Sequence, residues 1–220
     1  MTKDHDYSGV MTAALAATGA HVIAVERDAR LAARLRRRFD GDGLVRVVEA
    51  DLRTIPFPRR DFLVVASPPF SVTAALCGRL LSDPALPLAG AELIVQREAA
   101  RWLASTRPRD ARTAWWGTCY QIRLNRVLSP ASFTPPPSVS AAWLSVRPRP
   151  ARIPARSRRF LSLMVKAAYR RPAARAGIAL EGHKRLLLRA GIDPAAPIAA
   201  VTADQWHRLA LLLAGRAPAG

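Results

Sequence analysis

Acidic residues are scarce in this chain. Of 220 residues only 16 are Asp or Glu, against 34 Lys and Arg, which leaves a formal charge of +18. Such a surplus suits a polyanionic partner, and nucleic acid is the natural one. The shortage of acid is uneven: residues 151–220 hold 13 basic and 3 acidic side chains, net +10, whereas residues 1–150 hold 21 and 13, net +8. Lysine is nearly missing as well, confined to Lys3, Lys166 and Lys184. Part of the arginine excess, with the many Ala and Pro residues, therefore reflects GC-rich coding. Coding bias does not explain the missing acids.

Cysteine is limited to Cys77 and Cys119, both in apolar surroundings and without metal-ligand spacing. A reduced pair follows, with neither a disulfide nor a metal site expected. No apolar run approaches the ~20 residues of a membrane span, and the polar N-terminus lacks a signal-peptide core. The expectation is a cytoplasmic protein with no membrane segment. Histidine is sparse too: His5, His21, His183 and His207 are scattered and read as surface or structural residues.

The most informative stretch that is present runs Asp61-Phe62-Leu63-Val64-Val65-Ala66-Ser67-Pro68-Pro69-Phe70. A strand ends in a small polar residue, two prolines and an aromatic ring. Prolines fix φ and offer carbonyls without competing N–H donors, so the turn presents acceptors rigidly beside a ring that can stack. An exocyclic amine that is to accept a methyl group needs acceptors for its hydrogens and a platform for its ring. Ser67 Oγ and the Pro68 carbonyl are the candidate acceptors, and Phe70 is the candidate platform. An ordinary strand followed by a Pro-rich turn is the other reading of the same letters.

From His21 onward, short apolar runs alternate with helical ones, the mark of a mostly parallel sheet covered by helices. His21–Glu26, Leu44–Glu49, Asp61–Ala66 and Ala91–Gln96 read as strands. Ala29–Phe39 and the stretch near Val72–Leu81 read as helices, and the whole is a doubly wound arrangement. Tyr120–Val127 and Ala141–Val146, joined through the Pro-rich Ser129–Pro137 loop, read as an antiparallel pair that finishes the sheet. Arg147–Ala155 holds three prolines and three arginines in nine residues, a composition expected neither to continue a strand nor to bury a face. The expected division is therefore a Rossmann-like α/β domain over 1–147, a linker over 148–156 and a small basic helical domain over 157–220. In the last, Ser157–Tyr169, Gly182–Ala190 and Ala203–Leu213 have helical periodicity and Thr202 is a cap.

Glu26 ends its strand at the edge where open α/β sheets bind ligands, and an acid there can accept both hydroxyls of a ribose. Asp51 follows the next strand and can accept from an adenine amino group. Strand-end acids also cap turns and helices, so it is their order ahead of the Ser67 turn that raises the ligand reading.

That order resembles the motif order of Rossmann-like methyltransferases that use S-adenosylmethionine, and the run from Gly9 to Arg149 resembles the ribosomal RNA adenine N6-methyltransferases. The matching pieces are Gly9-Val10-Met11-Thr12-Ala13-Ala14-Leu15, Val25-Glu26-Arg27-Asp28, Glu49-Ala50-Asp51-Leu52, Ser67-Pro68-Pro69-Phe70, Val95-Gln96-Arg97-Glu98 and Phe133-Thr134-Pro135-Pro136-Pro137-Ser138-Val139. Trp115-Trp116 and the Arg-rich stretch after Val146 look more like the Erm macrolide-resistance enzymes, which act on 23S rRNA, than the small-subunit dimethyladenosine transferases. The resemblance implies a class I methyltransferase sheet with a C-terminal helical domain, acting as a monomer without a metal. It implies cofactor contacts from Gly9, Glu26, Arg27, Asp51, Leu52 and Ser67, with Glu26 on the ribose and Asp51 on the adenine. It further implies that Ser67, Pro68 and Phe70 carry the methyl-transfer turn, and that Phe133 joins Phe70 at the target base. Arg97, Arg101 and Arg107 follow the Ala91–Gln96 strand at the same sheet edge, where they read either as contacts to phosphates near the target or as a solvated helix face.

Two features depart from the family pattern. Of the first motif, a strand running into a Gly-rich turn, only Gly9 appears, after His5, Asp6, Tyr7 and Ser8. Losing that strand should expose apolar surface on its neighbours. Ser67 also stands where the family usually has Asn, and its shorter reach implies reduced or single methylation. A catalytically impaired relative that keeps RNA binding without cofactor binding, or a truncated fragment of such an enzyme, is one competing reading, and a DNA or protein amino-methyltransferase is another.

Overall fold

The computed structural model describes residues 9–133, 136 and 138–215, apart from the side chain of Phe70. His5–Ser8 and three positions of the Phe133–Val139 motif lie outside it. The chain forms two compact units, residues 1–57 and 58–220.

In the first unit, helix α1 (Val10–Ala16) precedes strand β1 (Val22–Glu26), helix α2 (Ala29–Arg38) and strand β2 (Val45–Glu49). The two strands pair in parallel, with Val22 opposite Val45 and Glu26 opposite Glu49. Helix α2 starts where Asp28 accepts the N–H groups of Arg30 (2.8 Å) and Leu31 (3.2 Å). It buries Ala32 and Leu35 and ends on Arg36, Arg37 and Arg38, cations that favour the negative end of the helix dipole. Gly9 starts α1 at φ 83°. A Cβ there would lie 2.8 Å from Leu35 Cδ2 and 3.0 Å from the Phe39 ring, so glycine at this position is set by the close approach of α1 to α2.

The second unit is built on strands β3 (Phe62–Ala66), β4 (Leu88–Gln96), β5 (Tyr120–Leu128) and β6 (Ala141–Pro148) in the order β3-β4-β6-β5. β3 and β4 are parallel, and β6 is antiparallel to both β4 and β5, which is the antiparallel finish expected from the sequence. The register puts Leu93, Val95, Leu144 and Val146 on one face, each no more than 1% exposed. Glu92, Trp143, Ser145 and Arg147 share the other, where Glu92 accepts from both Trp143 Nε1 and Arg147. Period-two alternation of this kind keeps a sheet covered on one side only.

Helices α3 (Phe70–Leu81), α4 (Arg97–Leu103) and α5 (Ala111–Cys119) cross between the strands. α5 is not legible from periodicity, because Thr113 to Thr118 are all buried, Trp115 and Trp116 among them; a helix apolar all round has no stripe to detect. The tail adds α6 (Ala155–Ala168), α7 (Ala176–Ala179), α8 (Lys184–Arg189) and α9 (Ala203–Ala214) around Trp206, Leu187, Ile198 and Leu209. Thr202 caps α9 as expected: its Oγ1 accepts the Gln205 N–H at 3.2 Å, while Gln205 Oε1 accepts the Thr202 N–H at 2.8 Å.

The mixed α/β architecture expected from the sequence is present, with β1-β2 in the first unit and β3-β4-β6-β5 in the second among the described residues. Ile23 in β1 and Leu63 and Val65 in β3 are 53%, 66% and 37% exposed. One expectation changes. The Pro/Arg-rich stretch does continue a strand, since β6 reaches Pro148. It also buries a face, with Ile153 4% and Arg149 8% exposed. Long-range partners decide this: Arg149 Nε donates to the Gly117 carbonyl at 2.8 Å, and Nη2 donates to Asp204 Oδ1 at 2.7 Å.

Candidate active site

In the first unit the two parallel strands end together and bring the acids to one edge. The Ala50 N–H donates to the Glu26 carbonyl at 3.0 Å, so Asp51 begins one residue beyond the point where β1 and β2 part. Glu26 is half-buried and its Oε1 accepts the Asp28 N–H at 2.8 Å. This bond fixes one carboxylate oxygen against the start of α2.

Asp51 is held more tightly than the sequence suggests. Its Oδ1 accepts from the Arg53 backbone N–H (2.8 Å) and Nε (3.0 Å), and its Oδ2 accepts from Nε (2.9 Å) and Nη2 (2.5 Å). The Arg53 side chain and backbone bonds, with Arg27 adding a nearby positive charge, hold the Asp51 carboxyl down at about 2. Hydrogen bonds and cations favour the charged form, so this acid is ionised at any ordinary pH. Arg53 was not singled out in the sequence, although a basic residue two positions after a strand-end acid is a signal that could have found it. Leu52 is half-buried beside this pair.

In the second unit the Ser67 turn leaves the carboxyl end of β3. Ser67 is exposed, Pro68 is buried and Pro69 is the N-cap of α3. Among the described residues no hydrogen bond engages Ser67 Oγ, while the Pro69 carbonyl accepts the Val72 N–H at 2.8 Å. Phe70 opens α3. Ala66 is opposite Leu93 in β4, and the Arg97 N–H donates to the Ser140 carbonyl at 2.9 Å. The Ser67 turn, the start of α4 and the loop ahead of β6 thus come from one edge of the sheet. Phe133, half-buried, sits in that loop.

Arg97 is the first residue of α4 and donates from Nε to Glu98 Oε1 at 3.0 Å; Arg101 Nη1 lies 3.6 Å from the same oxygen. The Arg97 side chain is half-buried and that of Arg101 is exposed. Arg107 does not share their edge. It lies beyond the far end of α4, in a loop where the Thr106 carbonyl accepts from Ala203 and the Pro108 carbonyl accepts from Tyr169. Seven helical residues of α4 separate the two ends, a rise of about 10 Å.

Other chemistries find little support. Burial pushes the Cys77 thiol up to about 11 and that of Cys119 to about 12, so neither is a thiolate near neutrality. Among the described residues no group of His, Cys, Asp and Glu is placed to hold a metal ion, and no helix is long and apolar enough to cross a membrane.

The ribosomal RNA adenine dimethylase family matches residues 8–215. A Synechococcus protein, ribosomal RNA small subunit methyltransferase A, is 34% identical over 167 residues, covering 72% of this chain and 59% of its own length. An rRNA adenine N-6-methyltransferase of Bacteroides fragilis is 28% identical over 161 residues, covering 73% and 58%. The chain thus spans less than two thirds of the length of these relatives. Among solved structures, the 23S rRNA methyltransferase ErmE is similar with a TM-score of 0.78 and 25% identity, over 93% of this chain and 86% of that one. A dimethyladenosine transferase from Plasmodium falciparum shares the fold at a TM-score of 0.62, with 17% identity over 87% and 81% of the two chains. On the extent of the match, the chain belongs to the ribosomal RNA adenine dimethylase family.

Proposed function

We propose that this chain transfers a methyl group from S-adenosylmethionine to the N6 amine of an adenine in 23S rRNA, with resistance to macrolides, lincosamides and streptogramins as the consequence. The observation that carries the reading is the order of strand ends: Glu26, then Asp51, then the exposed Ser67 hydroxyl beside two prolines. Likeness to ErmE supports the 23S target. The chain's charge of +18 supports an RNA substrate, and a cytoplasmic setting follows from that substrate.

The donor set fits the cofactor. Ribose hydroxyls and the adenine amine donate, whereas Glu26 and ionised Asp51 can only accept. Glu26 holds the ribose and Asp51 the adenine amine, with Arg27 and Leu52 beside them, whereas Gly9 packs against Leu35 and Phe39 toward the other end of α2 from Glu26. Arg53 is 52% exposed and can turn into solvent as Asp51 takes the amine. When bound, S-adenosylmethionine supplies its methyl group on an already activated sulfonium. Ser67 Oγ and the Pro68 carbonyl accept the hydrogens of the target amine and turn its lone pair outward. Phe70 and Phe133 stack the unpaired base, offsetting the cost of unstacking it. Arg97 and Arg101 meet neighbouring phosphates. The proton released from the methylated amine passes to water at the exposed Ser67 position.

The 34% identity to a small subunit methyltransferase favours a second reading, in which the target adenine lies in the small-subunit RNA. Incubation with radiolabelled S-adenosylmethionine and, separately, protein-free 23S and 16S rRNA decides between them. Label in N6-methyladenine from 23S alone supports the proposal. Label from 16S alone supports the second reading, and no label from folded protein supports an RNA-binding relative without catalysis.

A further inference from the structure

The tail helices line an open cavity of about 330 Å3 between the first turns of α6, the start of α8 and the end of α9. Its volume is within the range of small-molecule pockets. The lining is mixed in a specific way. Leu186 and Leu213 give an apolar floor, and Phe160 stands beside them 57% exposed although it is a large aromatic on a helix whose Leu161 and Val165 are buried. Ser157 also lines the cavity; it is only 5% exposed and its hydroxyl has no hydrogen-bond partner. Buried hydroxyls without partners are uncommon in folded proteins, and each calls for an explanation. His183 completes the wall, with Nδ1 2.9 Å from the Glu181 carbonyl. A carbonyl only accepts, so the neutral ring carries its proton on Nδ1 and leaves Nε2 as an acceptor.

The same helix offers an anion site at its start. α6 runs for 14 residues from Pro154, which gives no side-chain cap, and its first turn holds no acid. Arg156 lies in that turn and lines the cavity, and Arg159 follows on the exposed surface. An uncapped helix N-terminus with adjacent guanidinium groups favours a phosphate. The exposed Phe160 ring is independent of that dipole, and it offers a platform for a planar ligand next to the phosphate.

We infer that this cavity takes one unstacked nucleotide of a single-stranded RNA segment, with its base against Phe160 and its phosphate at the start of α6 beside Arg156. The inference rests on the proposal that the substrate is RNA and adds a second base-binding site, in the helical tail. Aromatic stacking of a base is sequence-tolerant, so the site grips RNA without choosing the methylated nucleotide.

The test uses the full chain and a short fluorescein-labelled single-stranded RNA, with an abasic ribose-phosphate oligomer of the same length as the second probe. Binding is read by anisotropy over a salt series. Phe160→Ala is expected to weaken RNA binding by about tenfold, within the range for loss of one stacked base, while leaving the dependence on salt unchanged. Phe160→Tyr should bind RNA as the wild type does, and Arg156→Gln should lower the salt slope by about one. The abasic oligomer should bind wild type and Phe160→Ala alike. Because Phe160 is exposed, its variants should melt with the wild type. If Phe160→Ala binds RNA as tightly as a wild type that itself binds RNA, the cavity assignment is wrong and the RNA substrate stands. If the wild type fails to bind RNA, the functional reading falls and the cavity assignment falls with it.

Discussion

Arg149 at the end of β6 and Asp204 in the first turn of α9 meet across 2.7 Å, and the Arg149 side chain is 9% exposed while that of Asp204 is 73% exposed. The two partners therefore differ in what their removal leaves behind. Arg149→Ala strips the Gly117 carbonyl of its donor in a buried setting, a loss of about 1–3 kcal/mol. Asp204→Ala removes an exposed acid but leaves the buried Arg149 guanidinium without its carboxylate, a loss of about 1–3 kcal/mol as well. Because both losses fall on one coupled group, urea unfolding should show the double variant losing less than the sum of the two single variants.

Gly9 is the point where α1 meets α2, and its positive φ and the 2.8 Å approach to Leu35 exclude a side chain. Gly9→Ala should destabilise the first unit by at least about 1–2 kcal/mol from the left-handed backbone alone. Hydrogen exchange that speeds up across Val22–Glu26 and Val45–Glu49 before it does in the second unit would show the effect to be local.

The Asp51–Arg53 pair separates charge from availability. Asp51→Ala should weaken S-adenosylmethionine binding about tenfold or more, as expected for losing a charged hydrogen-bond acceptor, and spare RNA binding. Arg53→Ala should leave cofactor affinity unchanged or tighter, because it frees the carboxylate, and should let the Asp51 titration rise from about 2 toward the ordinary value. Calorimetry reads the affinity and carboxyl carbon chemical shifts read the titration. The native carboxyl lies below its unfolded value, so its stabilising contribution is complete above about pH 4 and fades as pH falls through about 2. Unchanged cofactor affinity in Asp51→Ala would overturn the assignment.

Ser67 offers one acceptor with a short reach. Ser67→Asn should raise single-turnover methyl transfer several-fold with cofactor affinity unchanged, since the longer amide restores reach to the target amine. Phe70→Ala should lower transfer through RNA binding and not through cofactor binding. Faster single turnover by the wild type than by Ser67→Asn would contradict the idea that serine limits this site.

His207 packs against α5, with Nδ1 2.9 Å from the Thr118 carbonyl. Burial pushes its imidazole below the usual range, and Arg149 adds to the push. The unfolded chain therefore binds more protons here near pH 6, so stability is complete above about 6.5 and declines as pH falls through that value toward the lowered native one. His207→Gln should flatten this part of a stability profile measured by urea unfolding from pH 7.5 to 5.

Much of the architecture was legible in the residues themselves. His21–Glu26, Leu44–Glu49 and Asp61–Ala66 read as strands because they are short apolar runs between helical ones, each within one residue of the strand that forms, and Thr202 read as a cap because it directly precedes a helical periodicity. Those signals lie within a few residues of one another. The same locality placed Glu26, Asp51 and Ser67 at strand ends and gave the family resemblance its motifs. Tertiary structure alone decided the rest. Trp115 and Trp116 became a buried helix because α9 and the sheet enclose α5, with Ala203 packed against Gly117. Arg149 became a buried donor because its partners lie 32 and 55 residues away. The cavity beside Phe160 likewise depends on contacts between distant segments of the tail, and such contacts have no signature in local sequence.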